Sequence, residues 1–277
     1  MGMRISTNVA SINAQNSLSR SQHSIEKSYA QLASGSRITK AADDAAGLAL
    51  SEALKGQIRG FEMAKRNAMD GQSMIQVAEG GINEVSNILI RLRELAVQSA
   101  SDTVGDKERG FLNMEVQQIT EELDRIARST RFGTTNLLDG SGDQFEFQVD
   151  VNNNPDVDRI NFNAGAFDVQ TAALGIDGLD YSSQDGAREA LEVIEQAQYT
   201  VNEQRAELGA VQNRLMSTQN NLSNSIENVS AANSRIRDAD IAKSTADLAK
   251  NQVLKRATNN VLVQANNSTA SALNLLG

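Results

Sequence analysis

The sequence predicts a mainly α fold: a long antiparallel coiled-coil helical bundle, rod-shaped, carrying a small β-hairpin region. Three observations lead there. From Asp43 to Ser99, small or apolar residues recur at Leu54, Ile58, Phe61, Ala68, Ile75, Ala78, Ile82, Val85, Leu89, Leu92 and Ala96. The steps are threes, fours and their sums of seven, the seam of a helix packed into a coiled coil. From Asp185 a second seam returns, with Ala187, Ile194, Val201, Leu208, Leu215, Leu222, Val229 and Ile236 seven apart throughout. Between the two, residues 132–185 are dense in Gly, Asp and Asn, and strand-like alternation replaces helical spacing. Unbroken, the first helix would be about 85 Å long at about 1.5 Å per residue, which no compact domain needs, so other segments must cover its seam.

Residues 1–34 open the chain as an amphipathic helix with a sparse stripe of Ile5, Val9, Ile12, Leu18, Ile25, Tyr29 and Leu32. Such a helix is weak alone and needs a partner. Gly35 suits a C-cap, and Ser36–Lys40 is a connector. Asp43 and Asp44 then stand where acidic side chains cap free N–H groups at the start of the long helix. Gly47, Gly56, Gly60, Gly71, Gly80 and Gly81 interrupt that helix, each at up to ~1 kcal/mol against alanine, as close packing or as a kink at the Gly80–Gly81 pair.

After a turn at Ser101–Gly105, a helix over 106–129 places Leu112, Val116, Ile119, Leu123 and Ile126 on one face, forming a helical hairpin with the first. Phe145, Phe147, Val149 and Val151, then Ile160 and Phe162, alternate with polar residues around Asn152–Asp156, a β-hairpin with a longer loop. The second long helix should lie antiparallel to the first. Arg235–Asp240 reads as a charged hinge. A last helix over 241–267 carries Leu248, Val253, Leu254, Ala257, Val261, Leu262 and Ala265, and Leu273, Leu275 and Leu276 end the chain. The two ends pair as a two-helix coiled coil, too thin to stand alone and ordered by assembly.

Composition narrows the function. In 277 residues there are 4% aromatics, no tryptophan and no cysteine, which favours thin bundles over a thick core and excludes disulfides and thiolate metal sites. No run reaches the ~20 apolar residues of a membrane span, and residues 1–14 lack a signal-peptide core. Charge is segregated: residues 1–66 sum to +4, residues 67–234 to −16 and residues 235–277 to +3.

His23 is the sole histidine, without metal-ligating partners. Asp43-Asp44 and Glu121-Glu122 are adjacent acids that point apart on a helix. Gly140-Ser-Gly142 lacks the rest of a phosphate-binding motif, and no basic stripe interleaved with aromatics suggests nucleic acid. No enzyme and no cofactor are expected.

Several long runs resemble bacterial flagellins: Ile5–Gln15 (ISTNVASINAQ), Leu32–Ala49 (LASGSRITKAADDAAGLA), Arg93–Ala100, Phe132–Gly140, Leu208–Leu215 and Ser234–Asp240. The tail departs from the family pattern over Asn267–Ala270 while keeping Leu275 and Leu276. The resemblance implies a subunit of the hollow helical flagellar filament used for motility. It implies export through the type III flagellar apparatus without a cleaved signal, with a chaperone, filament cap and hook-associated proteins as further partners. The domain plan is then 1–42 with 236–277 as the inner, channel-lining pair, 43–131 with 186–235 as the long bundle, and 132–185 as its hairpin and loop cap, with no large outer domain.

Assembly is expected to rest on Ile5, Val9, Ile12, Leu18, Ile25, Leu32, Leu248, Leu254, Val261, Leu262, Leu275 and Leu276. Arg91, Leu95 and Glu115 match positions that vertebrate innate receptors recognise in some members, and Leu89, Arg93 and Glu94 share that segment, where the leucines also read as packing residues. The alternatives are a hook–filament junction or other flagellar axial protein, and a secreted coiled-coil adhesin or binding module.

Overall fold

A computed structural model describes residues 7–274, and side chains as far as Ser268. Its elements are α1 (Val9–Ser34), α2 (Ala45–Ser99), α3 (Asp106–Ser129), β1 (Arg131–Phe132), β2 (Thr135–Asn136), β3 (Gln144–Gln148), α4 (Pro155–Asp158), β4 (Arg159–Asn163), a 3₁₀ turn (Ala164–Ala166), α5 (Thr171–Leu174), α6 (Gln184–Arg237) and α7 (Ile241–Asn274). The chain divides into two units: residues 1–57 with 228–277, and residues 58–227. The divisions fall inside α2 and α6, whereas the sequence expectation sets boundaries at the connectors near 42 and 236.

In the first unit, α1 and α7 run antiparallel, with Asn8 bonded to Ala265 near one end and Ser36 bridged to Asp238 near the other. Asn8 caps α1 by accepting from the Ser11 amide, and Gly35 ends it in the left-handed region at φ +67°. Asp44 accepts from the Gly47 amide at the start of α2, and Asp240 accepts from the Lys243 amide at the start of α7. Asp43 does something else: its carboxylate collects the Thr39 hydroxyl and the Thr39 and Lys40 amides, folding the connector before α2.

The expected hinge at 235–240 is instead a clasp. Arg37 N donates to Arg237 O at 2.6 Å and Ala239 N to Gly35 O at 2.9 Å. The Arg37 guanidinium donates to Ile236 O at 2.6 and 3.2 Å, covering a carbonyl that the end of α6 leaves open. Backbone groups, with the Arg37 side chain, thus bind one connector to the other.

In the second unit, α2 buries Phe61, Ala64, Ala68, Gly71, Ile75, Ala78, Ile82, Val85, Leu89, Leu92 and Ala96, an unbroken alternation of steps of three and four. The facing row of α6 runs Ala187, Ala190, Ile194, Ala197, Val201, Gln204, Leu208, Val211, Leu215 and Leu222. Beyond Leu222, Val229 and Ile236 are only half-buried. α3 adds Val116, Leu123 and Ala127. Strands β3 and β4 pair antiparallel with Phe145 opposite Phe162 and Phe147 opposite Ile160. The sequence reading missed the two-residue hairpin of β1 and β2, turned at Gly133 with φ +62°.

The irregular stretch does more than cap. Leu137, Leu138, Phe162, Phe167, Val169, Ile176 and Tyr181 sit deep in the core with the helices, and the Phe162 and Phe167 rings stack at 5.3 Å. The scarce aromatics are concentrated where helix seams alone would leave a gap. Three glycines of α2, Gly60, Gly71 and Gly81, are seats for this stretch. A Cβ at Gly71 would meet the Phe147 ring at 3.0 Å, one at Gly81 would meet Thr130 and Leu138 at 2.6 and 2.7 Å, and Val151 lies over Gly60. α2 passes through Gly80–Gly81 as one helix, and close packing accounts for Gly81.

Candidate functional site

The surface of interest in the first unit is built on the α1–α7 pair. The residues that face across it on α1 are Ser11, Ala14, Leu18, Ser21, Ile25, Ser28 and Leu32; on α7 they are Ser244, Leu248, Asn251, Lys255, Thr258, Leu262 and Ala265. Every step is three or four. Only Leu18, Ile25, Leu32, Leu248 and Leu262 are large and apolar, so the seam buries little and holds weakly. Polar bonds supplement it: Asn8 Nδ2 to Ala265 O at 2.8 Å, Lys255 Nζ to Gln22 Oε1 at 2.7 Å, and Gln252 Nε2 to Tyr29 Oη at 3.2 Å.

The expected assembly residues separate into two groups. Leu18, Ile25, Leu32, Leu248 and Leu262 lie in the seam. Val9, Ile12, Leu254 and Val261 do not: they are exposed, Leu254 at 45% and Val261 at 58%. Ile5, Leu275 and Leu276 lie outside the described residues. The single apolar stripe expected on α1 is thus two faces, because Ser11, Ala14, Ser21 and Ser28 take the seam positions that a count of large apolar residues passes over. Ile241, Val253, Leu254, Val261 and Val263 expose apolar surface outside the seam of α7. A helix apolar around much of its circumference is one that several neighbours cover.

In the second unit, the α2–α3 segment also divides. Leu89 and Leu95 are buried core residues; Leu89 stands in the seam row of α2 with Leu92, and Leu95 is buried beside that row. Arg91, Arg93, Glu94 and Glu115 are surface groups. Arg91 donates to Glu115 Oε1 at 2.7 Å and to Glu94 Oε2 at 3.0 Å, and Glu115, then Glu94, raise its guanidinium pKa further. Arg93 donates to Gln198 at 3.1 Å and lies 3.6 Å from Glu195 on α6. Exposed Ile90, Val97, Phe111 and Met114 lie on the same two helices.

The buried polar groups are structural. Arg109, almost fully buried, donates to Ser99 O and Ser101 O and fastens the turn between α2 and α3. Tyr181 donates to Leu92 O, and burial pushes its phenol pKa up. Among the described residues no group of three or more His, Asp or Glu is arranged to hold a metal ion, and no helix is long and apolar enough to cross a membrane.

Against known proteins, the family model for the bacterial flagellin N-terminal helical region matches residues 5–143, and that for the C-terminal helical region matches residues 191–276. A flagellin of Halalkalibacterium halodurans is 40% identical over 278 residues, covering 99% of this chain and 100% of that one. A flagellar filament core protein of Brachyspira hyodysenteriae is 39% identical over 289 residues, again covering 99% and 100%. The crystal structure of Bacillus cereus flagellin superposes with a TM-score of 0.51 at 27% identity, covering 57% of this chain and 88% of that one.

Proposed function

The chain belongs to the bacterial flagellin family, a structural subunit of the extracellular flagellar filament and not an enzyme, and from that premise we propose how its parts divide the work of assembly. The α1–α7 pair is the inner element, lining the channel of a hollow filament. The long bundle forms the tube around it, with residues 132–185 as its hairpin and loop cap. Copies join by contacts that do not close on themselves, which is what yields an open helical polymer. The subunit leaves the cell by the flagellar export apparatus, without cleavage of a signal, and meets its chaperone, the filament cap and hook-associated proteins on the way. Where a vertebrate innate receptor engages it, the contact is through Arg91, Arg93, Glu94 and Glu115 and not through the buried leucines. The junction-protein and adhesin alternatives are not favoured beside relatives that are flagellins and filament core proteins.

One observation supports this division above the others: a weak seam inside the pair combined with apolar residues outside it. Leu254 and Val261 contribute little to the pair itself, so their apolar character answers to other copies. Leu254→Asp and Val261→Asp test it in seeded polymerisation followed by electron microscopy. Burying an unpaired charge costs several kcal/mol, so filament yield should fall by more than about 100-fold, while the second unit melts as in the wild type. Normal filaments from either variant would overturn the assignment.

A further inference from the structure

Within the face that α7 turns to α1, Leu248, Lys255 and Leu262 stand one heptad apart, with a cation where the pattern calls for a third leucine and with Asn251 and Thr258 in the turns between. All three are half-buried. Lys255 Nζ crosses the seam to Gln22 Oε1 at 2.7 Å and makes no salt bridge among the described residues. A lysine in the apolar row of a coiled coil lowers stability and is used to specify which helices pair.

We propose that Lys255 sets the partner of α7, allowing it to pair with α1 and preventing it from pairing with α7 of a second copy. In an antiparallel pair of two α7 helices centred on residue 255, each Leu248 would face the other copy's Leu262. That register matches leucine with leucine, and Asn251 and Thr258, the polar residues between, bring no charge against it. At its centre the two Lys255 side chains meet, like charge against like charge. α1 offers an uncharged acceptor at the same place, the Gln22 carbonyl oxygen, and sets no cation against the ammonium group.

The stoichiometry makes one obstacle sufficient. Each chain has one α1 and one α7, so exchanging partners creates an α7–α7 pair for every α1–α1 pair, and penalising one homopair disfavours the exchange. The antiparallel sense is fixed separately, by Asn8 with Ala265, Tyr29 with Gln252 and the clasp at Ser36 and Asp238. What remains to be specified is whose α7 is taken, a choice that matters where many chain ends crowd together. The inference rests on the reading of α1 and α7 as the assembling ends.

Sedimentation velocity of the full-length, unseeded chain tests it. Lys255→Leu completes the leucine row and should self-associate at least ~10-fold more tightly than the wild type, about 1.4 kcal/mol. Adding Leu248→Asp to it should restore the monomer, locating the contact on α7. Lys255→Glu should stay monomeric like the wild type, because like charges still meet at the centre while the Gln22 amide donates to the carboxylate. Should the leucine variant lose helicity by circular dichroism, Lys255→Met, closer in shape to the lysine stem, reads the same quantity. A Lys255→Leu or Lys255→Met chain that is helical yet sediments as the wild-type monomer would overturn the proposal, as would a Lys255→Glu chain that self-associates. Seeded polymerisation of the wild type is read separately, and its failure would count against the assembling ends and not against the pairing rule.

Discussion

Two adjacent glycines show how finely single positions are set. Gly80 has open space where a Cβ would stand, whereas at Gly81 a Cβ would meet Thr130 Oγ1 and Leu138 Cδ1 at 2.6 and 2.7 Å. Gly80→Ala should therefore stabilise the bundle by up to about 1 kcal/mol through helix propensity. Gly81→Ala should destabilise it by about 1–3 kcal/mol through overpacking, despite the same propensity gain; urea unfolding of the two variants checks the opposite signs. Asp43 is a second case. Lys27, 2.8 Å away, and then Thr39 hold its carboxylate well below the usual range. A lowered folded pKa contributes stability that is complete above the unfolded value near 3.8 and is lost as pH falls through the folded one. Exchange protection of the Thr39 and Lys40 amides should thus be flat above about pH 4 and fade on further acidification. Asp43→Asn should show weaker protection without that pH dependence.

Among the elements, those built on large apolar side chains were legible and those built on small or distant ones were not. α2, α3 and α6 announce themselves because Ile, Leu and Val at steps of three and four must be covered, and most of them are, fully or in part. β3 and β4 are legible because Phe145 and Phe147 alternate and Phe162 and Ile160 return the pattern. The α1–α7 seam is obscure because serine, asparagine and threonine fill it, residues that elsewhere mark a wet face. β1 and β2 are too short for any alternation. The clasp joins residues about two hundred positions apart through backbone groups, which carry no signature in sequence, and its arginines suggested a hinge. The same limit applies to the segment around Arg91: Leu89 and Leu95 share a stretch with Arg91 and Glu94, and of the two only Leu89 lies in the seam row that the spacing reveals. The clasp yields its own prediction. Arg37→Ala removes both guanidinium bonds to Ile236 O. Because Arg37 is exposed, the loss should be modest, about 0.5–1.5 kcal/mol. Hydrogen exchange should report it as faster opening of the 35–39 and 237–239 amides, with the bundle around Ile82 unchanged.

Across the whole molecule, the continuous apolar core and the negative charge fall in the same stretch. Residues 67–234, at −16, supply the continuous apolar core, while the two ends, at +4 and +3, supply a thin seam and exposed valines. The middle carries a charge that repels its own kind; the ends, with their thinner seam, lack that barrier. Bringing copies side by side in a filament therefore sets apolar burial at the ends against repulsion between acidic middles. Repulsion reaches about 30 Å at 0.01 M salt but only about 8 Å at 0.15 M, and burial of apolar surface does not weaken over that range. The critical concentration for seeded elongation, measured by pelleting, should fall at least ~10-fold between those two conditions and change little on going to about 1 M, where screening is already short-ranged. A critical concentration that instead rises with salt would mean that the contacts between copies are dominated by paired opposite charges, and that the acidic middles are not what limits assembly.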